Sequence, residues 1–257
     1  WQARVDPRRQ TPSVGIYSHV RDNWGISYAQ PIVLNERQAG AAIEGVVRDE
    51  RLETAQLAVD THGYTDVSMT LARLLGFDLC PRLKALKDRH LFIARGTAVP
   101  EAIRSICHAR IDVQKIVDHW ESIVHLVASV HSGHTSAVHA LARFGSASRG
   151  DPLCEAMVQL GKLLRTVFLA DYFVNATFRR ELLRVLNRGE AVNASKRAIY
   201  TGRVAGYQAG RDDDMQAALD RWNARRPTAV PPELSRRITP TPPHGIKLLR
   251  RFRFPLQ

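Results

Sequence analysis

The chain has 257 residues, is 44% apolar and 24% charged, and carries a formal net charge of +12. That length admits one large domain, or two small ones, around a real core, and the absence of any run of 18 or more apolar residues excludes a helical membrane span. Cys80, Cys107 and Cys154 are too few and too widely spaced for a disulfide framework or a four-Cys zinc site, and they suit a reducing cytoplasm.

The first stretch, "WQARVDPRRQ", has neither an initiator Met nor an apolar signal core and reads as the start of a fragment. "VGIYSHV" (14–20) and "GISYAQPIVL" (25–34) are rich in β-branched and aromatic residues, and "RDNW" between them predicts a hairpin turn. Asn35 then caps a helix in "ERQAGAAIEGVVRDER", with Ala39, Ala42, Ile43, Val46 and Val47 inside and the charges outside. "TAQLAVD" returns as a strand that ends on Asp60, followed by Thr61, His62 and Gly63. An acid at the carboxyl edge of a strand in a mixed sheet is where ligands gather. It can equally be a helix cap or a turn former.

Downstream, "DVSMTLARLLGF" predicts a helix buried through Val67, Leu71, Leu74 and Leu75, and "DLCPRL" a short strand closed by Pro81. From about 99 to 203 the pattern is helical. "VQKIVDHWESIVHLVASVHSG" predicts one helix with Val113, Ile116, Val117, Trp120, Val124 and Val127 inward and Gly133 at its end. Asp151 and Pro152 open the next, with Met157, Leu160, Leu164, Val167 and Phe168 inside. Asn175 caps another, through Phe178, Leu182, Val185 and Leu186. The crowd of His119, His125, His131, His134 and His139 lacks the Cys or Glu that would complete a zinc set, so these histidines read as solvated or DNA-facing.

In "VLNRGEAVNASKRA", Glu190, Asn193 and Arg197 share one helix face, opposite Leu186, Ala194 and Ala198. An acid beside an amide and a guanidinium suits a phosphate-and-metal surface. An exposed helix laced with charge pairs gives the same pattern. From Arg221 onward nine Lys and Arg face one acid, Glu233. Such a tail suits a polyanion, nucleic acid first, or simply keeps the chain soluble.

Four segments, "VDTHGYTD…LLGFDLCPRL", "HW…VASVHSG…ALARFGS", "LGKLLRTVFLADYF" and "LNRGEAVNASKRAIYTGR", resemble in register the transposases of class II replicative transposons, the Tn3 family. The resemblance runs from about Thr11 to the C-terminus. It implies an α/β, RNase H-like catalytic fold of the retroviral-integrase superfamily with a large helical insertion. The implied division is 1–84 for the strands and helix with the second catalytic Asp, 85–185 for the insertion, 186–220 for the helix with the catalytic Glu, and 221–257 for the basic tail. Asp60 resembles the second Asp and Glu190 the Glu of an Asp–Asp–Glu triad, both as metal ligands, with the first Asp upstream of Trp1. Asp6 and Asp22 are not assigned to it.

The implied chemistry is Mg2+-dependent phosphoryl transfer, nicking transposon ends and joining them to target, with two ions about 3.5–4 Å apart and Mn2+ as an alternative. His62 beside Asp60 touches phosphate or fills the turn. Arg82, Lys84, Arg188, Asn193 and Arg197 are the candidate DNA contacts; for each, the alternative is a solvated surface group. The implied partners are double-stranded DNA, at transposon ends and target, and a second copy of the chain on that DNA. No membrane is involved, and the setting is a bacterial cytoplasm at the nucleoid.

The resemblance also expects a long apolar helix between "RAIYTGR" and "MQAALDRW", where this chain runs straight on. About six buried side chains at about 1.5–3 kcal/mol each would forfeit roughly 9–18 kcal/mol. That rivals a domain's whole stability of about 5–15 kcal/mol and predicts a weakened fold. The alternative function is therefore a DNA-binding remnant that lacks the first Asp and this helix and does not cut.

Overall fold

The computed structural model describes residues 15–33, 38–49, 53–107, 109–145 and 150–200, with strand residues 4–5 and 12–13. Strands β1 (Arg4–Val5) and β2 (Pro12–Ser13) form a minimal antiparallel pair. The basic tail, the junction that would have held the extra helix, and Asn35 lie outside the described residues.

Strands β3 (Gly15–Val20) and β4 (Ile26–Ile32) form the expected antiparallel hairpin. Its turn closes through Trp24 N–H to Arg21 O (3.0 Å) and Arg21 N–H to Gly25 O (2.8 Å). Trp24 sits at φ 67°, in the left-handed region. For a residue with a Cβ this costs on the order of 1–2 kcal/mol.

Helix α1 (Ala39–Val47) packs on the hairpin through small residues. A Cβ on Gly45 would stand 2.1 Å from Cε1 of His19, and one on Gly40 would stand 2.7 Å from the backbone of Val138. His19 is buried, and its Nε2–H donates to Ala42 O (2.8 Å). Burial pushes its pKa below the ordinary 6.5, against smaller raising effects from backbone carbonyls and Asp49. The unfolded chain takes up this proton near pH 6.5 while the folded ring resists it. Stability should therefore be flat in this group above pH 6.5 and fall by up to about 1.4 kcal/mol per pH unit below it, until the folded ring itself protonates. Thermal melts across pH 5–8 check this, and His19→Gln should remove that part of the acid slope.

The sequence pattern puts Glu44 outside, but the structure buries it. Its Oε2 accepts from the backbone N–H of Ala137 (2.6 Å) and its Oε1 from Nε–H of Arg48 (2.7 Å). The carboxylate thus satisfies the positive amino end of α5 (Ala137–Ala142).

Strand β5 (Gln56–Val59), helix α2 (Asp66–Leu74) and strand β6 (Asp78–Pro81) form a β–α–β unit. The two strands are parallel, with Gln56 opposite Asp78 and Val59 opposite Pro81, and a parallel pair needs such a crossover. The Arg82 N–H continues the ladder to Val59 O (2.7 Å) beyond Pro81. A capping box starts α2: Thr65 Oγ1 accepts from Ser68 N–H (3.0 Å), and Ser68 Oγ accepts from Thr65 N–H (2.6 Å).

The segment 85–185 is not purely helical. Phe92–Ala94 (β7) and Ala109–Ile111 (β8) are short apolar runs that pair in parallel, joined through a 3-10 turn at Glu101–Ile106. The single helix expected after Asp112 is two, α3 (Val113–Asp118) and α4 (Trp120–His131). His119 breaks them at φ −115°, ψ 14°, so residues before the break do not share the buried face of α4. Ile116, Ile123 and Val130 are buried, whereas Val113, Val117 (60%), Trp120 (42%) and Val124 are exposed. Trp120 is thus no core anchor.

Helices α6 (Pro152–Val174) and α7 (Ala176–Tyr200) open as expected. Asp151 Oδ1 accepts from Leu153 and Cys154 N–H, and Asn175 Oδ1 accepts from Phe178 N–H. Met157 and Phe168 of α6 are buried, but Val167 is exposed. Helix α6 lies against α2. Thr70 Oγ1 donates to Met157 O (2.7 Å) in the core, and Gly161 sits directly on the Asp66 carbonyl. Asp66 meets Arg165 at 2.8 Å, yet burial pushes its pKa up, because desolvation outweighs the pull of Arg165 and Lys162. The core that results gathers Ile43, Val59, Leu71, Leu79, Ile123, Met157, Leu169 and Leu182. This is a mixed α/β molecule with small two-stranded sheets and many helices.

Candidate active site

Asp60 leaves β5 and turns the chain at once. Its Oδ1 accepts from His62 N–H (3.0 Å) and Gly63 N–H (2.9 Å). A Cβ on Gly63 would lie 2.7 Å from Cβ of Val59, so the turn closes only with glycine there. One carboxylate oxygen therefore builds the turn, and the other is left for a further partner. Asp60 and His62 are exposed. Tyr17, from β3, is half-buried close by. Its hydroxyl is pushed far above its usual range, first by burial and then by the charge of Asp60.

Glu190 projects from α7. Asn175 caps the start of this helix, and Arg179 anchors its first turns by donating to the Tyr172 and Phe173 carbonyls at the end of α6 (2.6 and 2.7 Å). Leu182 and Val192 are buried on its inner face. Glu190 (68% exposed) accepts from Arg82 Nη1–H at 3.1 Å. Arg82 is also tied to the Asp60 turn, because its N–H reaches Val59 O and its carbonyl accepts from Thr61 Oγ1 at 3.4 Å. One residue thus joins the strand-end acid to the helix acid, 130 positions apart in sequence.

The remaining sequence candidates divide. Lys84 and Asn193 are exposed. The side chain of Arg197 lies outside the described residues. Arg188 does not point to solvent: its side chain is only 10% exposed, lies over the Trp24 ring at 5.3 Å and pairs with Asp22 at 3.4 Å. The inner face of α7 also differs from the expected one, with Ala194 exposed and Val192 buried in its place. Sequence reasoning missed Arg82 as the bridge, Tyr17 as the neighbour of Asp60, and Trp24 beside Arg188. The one available signal was an indole placed in a hairpin turn.

Of the histidines, His125, His131, His134 and His139 are exposed, and His134 Nδ1 lies 2.6 Å from Ser132 Oγ. Among the described residues, no three His, Cys, Asp or Glu side chains group so as to hold a metal ion. No helix among them is long and apolar enough to cross a membrane. Cys80 is buried, and its thiol is pushed up to about 12, chiefly by burial.

A family model described as Tn3 transposase DDE domain matches residues 1–223. The transposase for insertion sequence element IS1071 in transposon Tn5271, from Comamonas testosteroni, is 63% identical over 278 aligned positions, which cover 100% of this chain and 29% of that protein. With 278 positions against 257 residues, 21 positions of that alignment have no counterpart here. The transposase for transposon Tn1546 from Enterococcus faecium is 32% identical over 81% of this chain and 21% of its own length. The transposase for transposon Tn2501 from Escherichia coli is 30% identical over 83% and 23%. The chain therefore spans less than a third of each of these relatives.

Proposed function

The chain belongs to the Tn3 transposase DDE-domain family, and on that premise we propose that it is catalytic-core sequence of a DNA transposase, with Asp60 and Glu190 as two of its three metal-binding acids. The observation that carries this reading is the Arg82 bridge, which ties the turn at Asp60 to Glu190. The fold it serves is RNase H-like. Its parts are residues 1–84, the insertion 85–185, the Glu-bearing helix 186–220 and the basic tail 221–257.

The donor set suits Mg2+, or Mn2+ in its place. Carboxylates are hard oxygen ligands, and two from separate elements can share ions between them. Among the described residues no third acid groups with these two; the third is what the Asp–Asp–Glu resemblance implies. When bound, two divalent ions would supply an activated nucleophile and a stabilised leaving oxygen for in-line displacement at phosphorus. The chain's own residues do the positioning. Asp60 Oδ1 holds the turn while its other oxygen faces outward. Arg82, Lys84, Asn193 and Arg197 grip the strand. The partners are transposon ends and target DNA, bound by a dimer at the bacterial nucleoid.

The test is duplex DNA binding by the chain across a salt series. Log affinity should fall linearly with log salt, by about 0.9 for each phosphate neutralised. Lys84→Ala should lower affinity alike on all sequences and reduce the slope by about 1. An affinity indifferent to salt would sink the reading.

A second reading draws on the 21 alignment positions without a counterpart. A chain that has lost a buried helix would bind DNA with the same salt dependence and leave it uncut in Mg2+.

A further inference from the structure

An open groove of about 480 Å3 lies between the hairpin turn and α7, lined by Trp24, Arg180, Leu183, Arg184, Asn187 and Arg188. Pockets that accept a small organic group run to about 300–1,000 Å3. Arg180, Arg184 and Arg188 stand four residues apart, so they form one row about 12 Å long on α7. A row of that length follows a strand rather than a single phosphate. Arg188 is nine-tenths buried, and its Nε is buried with no hydrogen-bond partner. Across from it, Trp24 holds its indole half-exposed while its backbone is forced into the left-handed region. Strain of this kind persists only where the surrounding structure holds the backbone in place. Among the described residues the acids beside the row are Glu181, next to Arg180 on α7, and Asp22, which is 97% exposed and free to swing away from Arg188.

Guanidinia alone would serve the outside of a duplex. An indole among them offers something a paired base cannot use: a flat apolar face for a base that has left its stack. Resting on the DNA-transposase reading above, we propose that this groove takes one unpaired DNA base against Trp24, with phosphates of the same strand on Arg180, Arg184 and Arg188. Arg188 and Glu190 stand two residues apart on α7, so the groove and Glu190 lie on different sides of one helix. An unpaired strand held in the groove would be separated from Glu190 by one helix diameter, about 10–12 Å.

The experiment compares the full chain with Trp24→Phe and Trp24→Asn on two DNA probes, one fully paired and one carrying a short run of unpaired thymines. Asparagine suits a left-handed backbone, so that variant tests the indole without straining the turn. The wild type should prefer the unpaired probe. Trp24→Asn should lose that preference, by about 5- to 150-fold or about 1–3 kcal/mol, with paired-duplex affinity unchanged within about twofold. Trp24→Phe should keep most of it. An equal preference in wild type and Trp24→Asn overturns the groove assignment and leaves the DNA reading intact. Failure of the wild type to bind either probe overturns both.

Discussion

Asp60→Asn and Glu190→Gln, each made in a transposase that carries the complete acid set, will abolish metal-dependent strand cleavage while leaving DNA binding in place. The two changes are chosen to separate shape from charge. Asparagine at 60 keeps the Oδ1 that accepts from His62 and Gly63, so the turn survives and only the charge goes. Glutamine at 190 keeps an oxygen for Arg82. Both positions are exposed, so stability should move by no more than about 0.5 kcal/mol. Removing one preorganised charge-stabilising group from an active site costs about 10²–10³ in rate. A ligand to a divalent ion should cost at least that. Nicking assays on a labelled end duplex in Mg2+, run beside binding assays, read both quantities. Cleavage that survives either substitution refutes the assignment of that residue.

Gly161→Ala should unseat α6 from α2. A Cβ there would lie 1.9 Å from the Asp66 carbonyl oxygen and 2.4 Å from its carbon. These are backbone atoms in the first turn of a capped helix, so no rotamer change relieves the clash. Alanine gains up to about 1 kcal/mol over glycine within a helix. Overpacking costs about 1–3 kcal/mol and sometimes more, and here the helices must part, straining the Thr70–Met157 bond and the core around Met157 and Leu169. The clash therefore wins. A net loss of about 2 kcal/mol would lower the melting temperature by about 4–8 °C for a chain of this size. A variant that melts within about 2 °C of the parent would show that the two helices can yield.

Much of the front half is legible in the sequence because its signals are local. The alternation of the hairpin strands, the turn residues between them and the small apolar face of α1 each need only a few neighbouring residues, as does the cap at Asp151 further along. What failed to read was decided at a distance. Glu44 looks like a surface charge until Ala137 arrives with an unpaired amide. The apolar spacing runs unbroken through His119, so nothing local announces the break that leaves Trp120 exposed. Strands of three residues, such as β7 and β8, are too short to show a period. Asp60 and Glu190 were linked by family resemblance alone. No pattern in the chain pairs two acids so far apart, and Arg82, which bridges them, reads as an ordinary surface cation.

The seating of α6 on α2 also sets a schedule. Residue 161 leaves the ribosome 95 residues after Asp66. At about 5–20 residues per second that is a wait of roughly 5–20 s. Throughout it, the side of α2 that α6 will cover has no lid. This stretch of chain is born sticky, and its safety during synthesis depends on how quickly α6 follows.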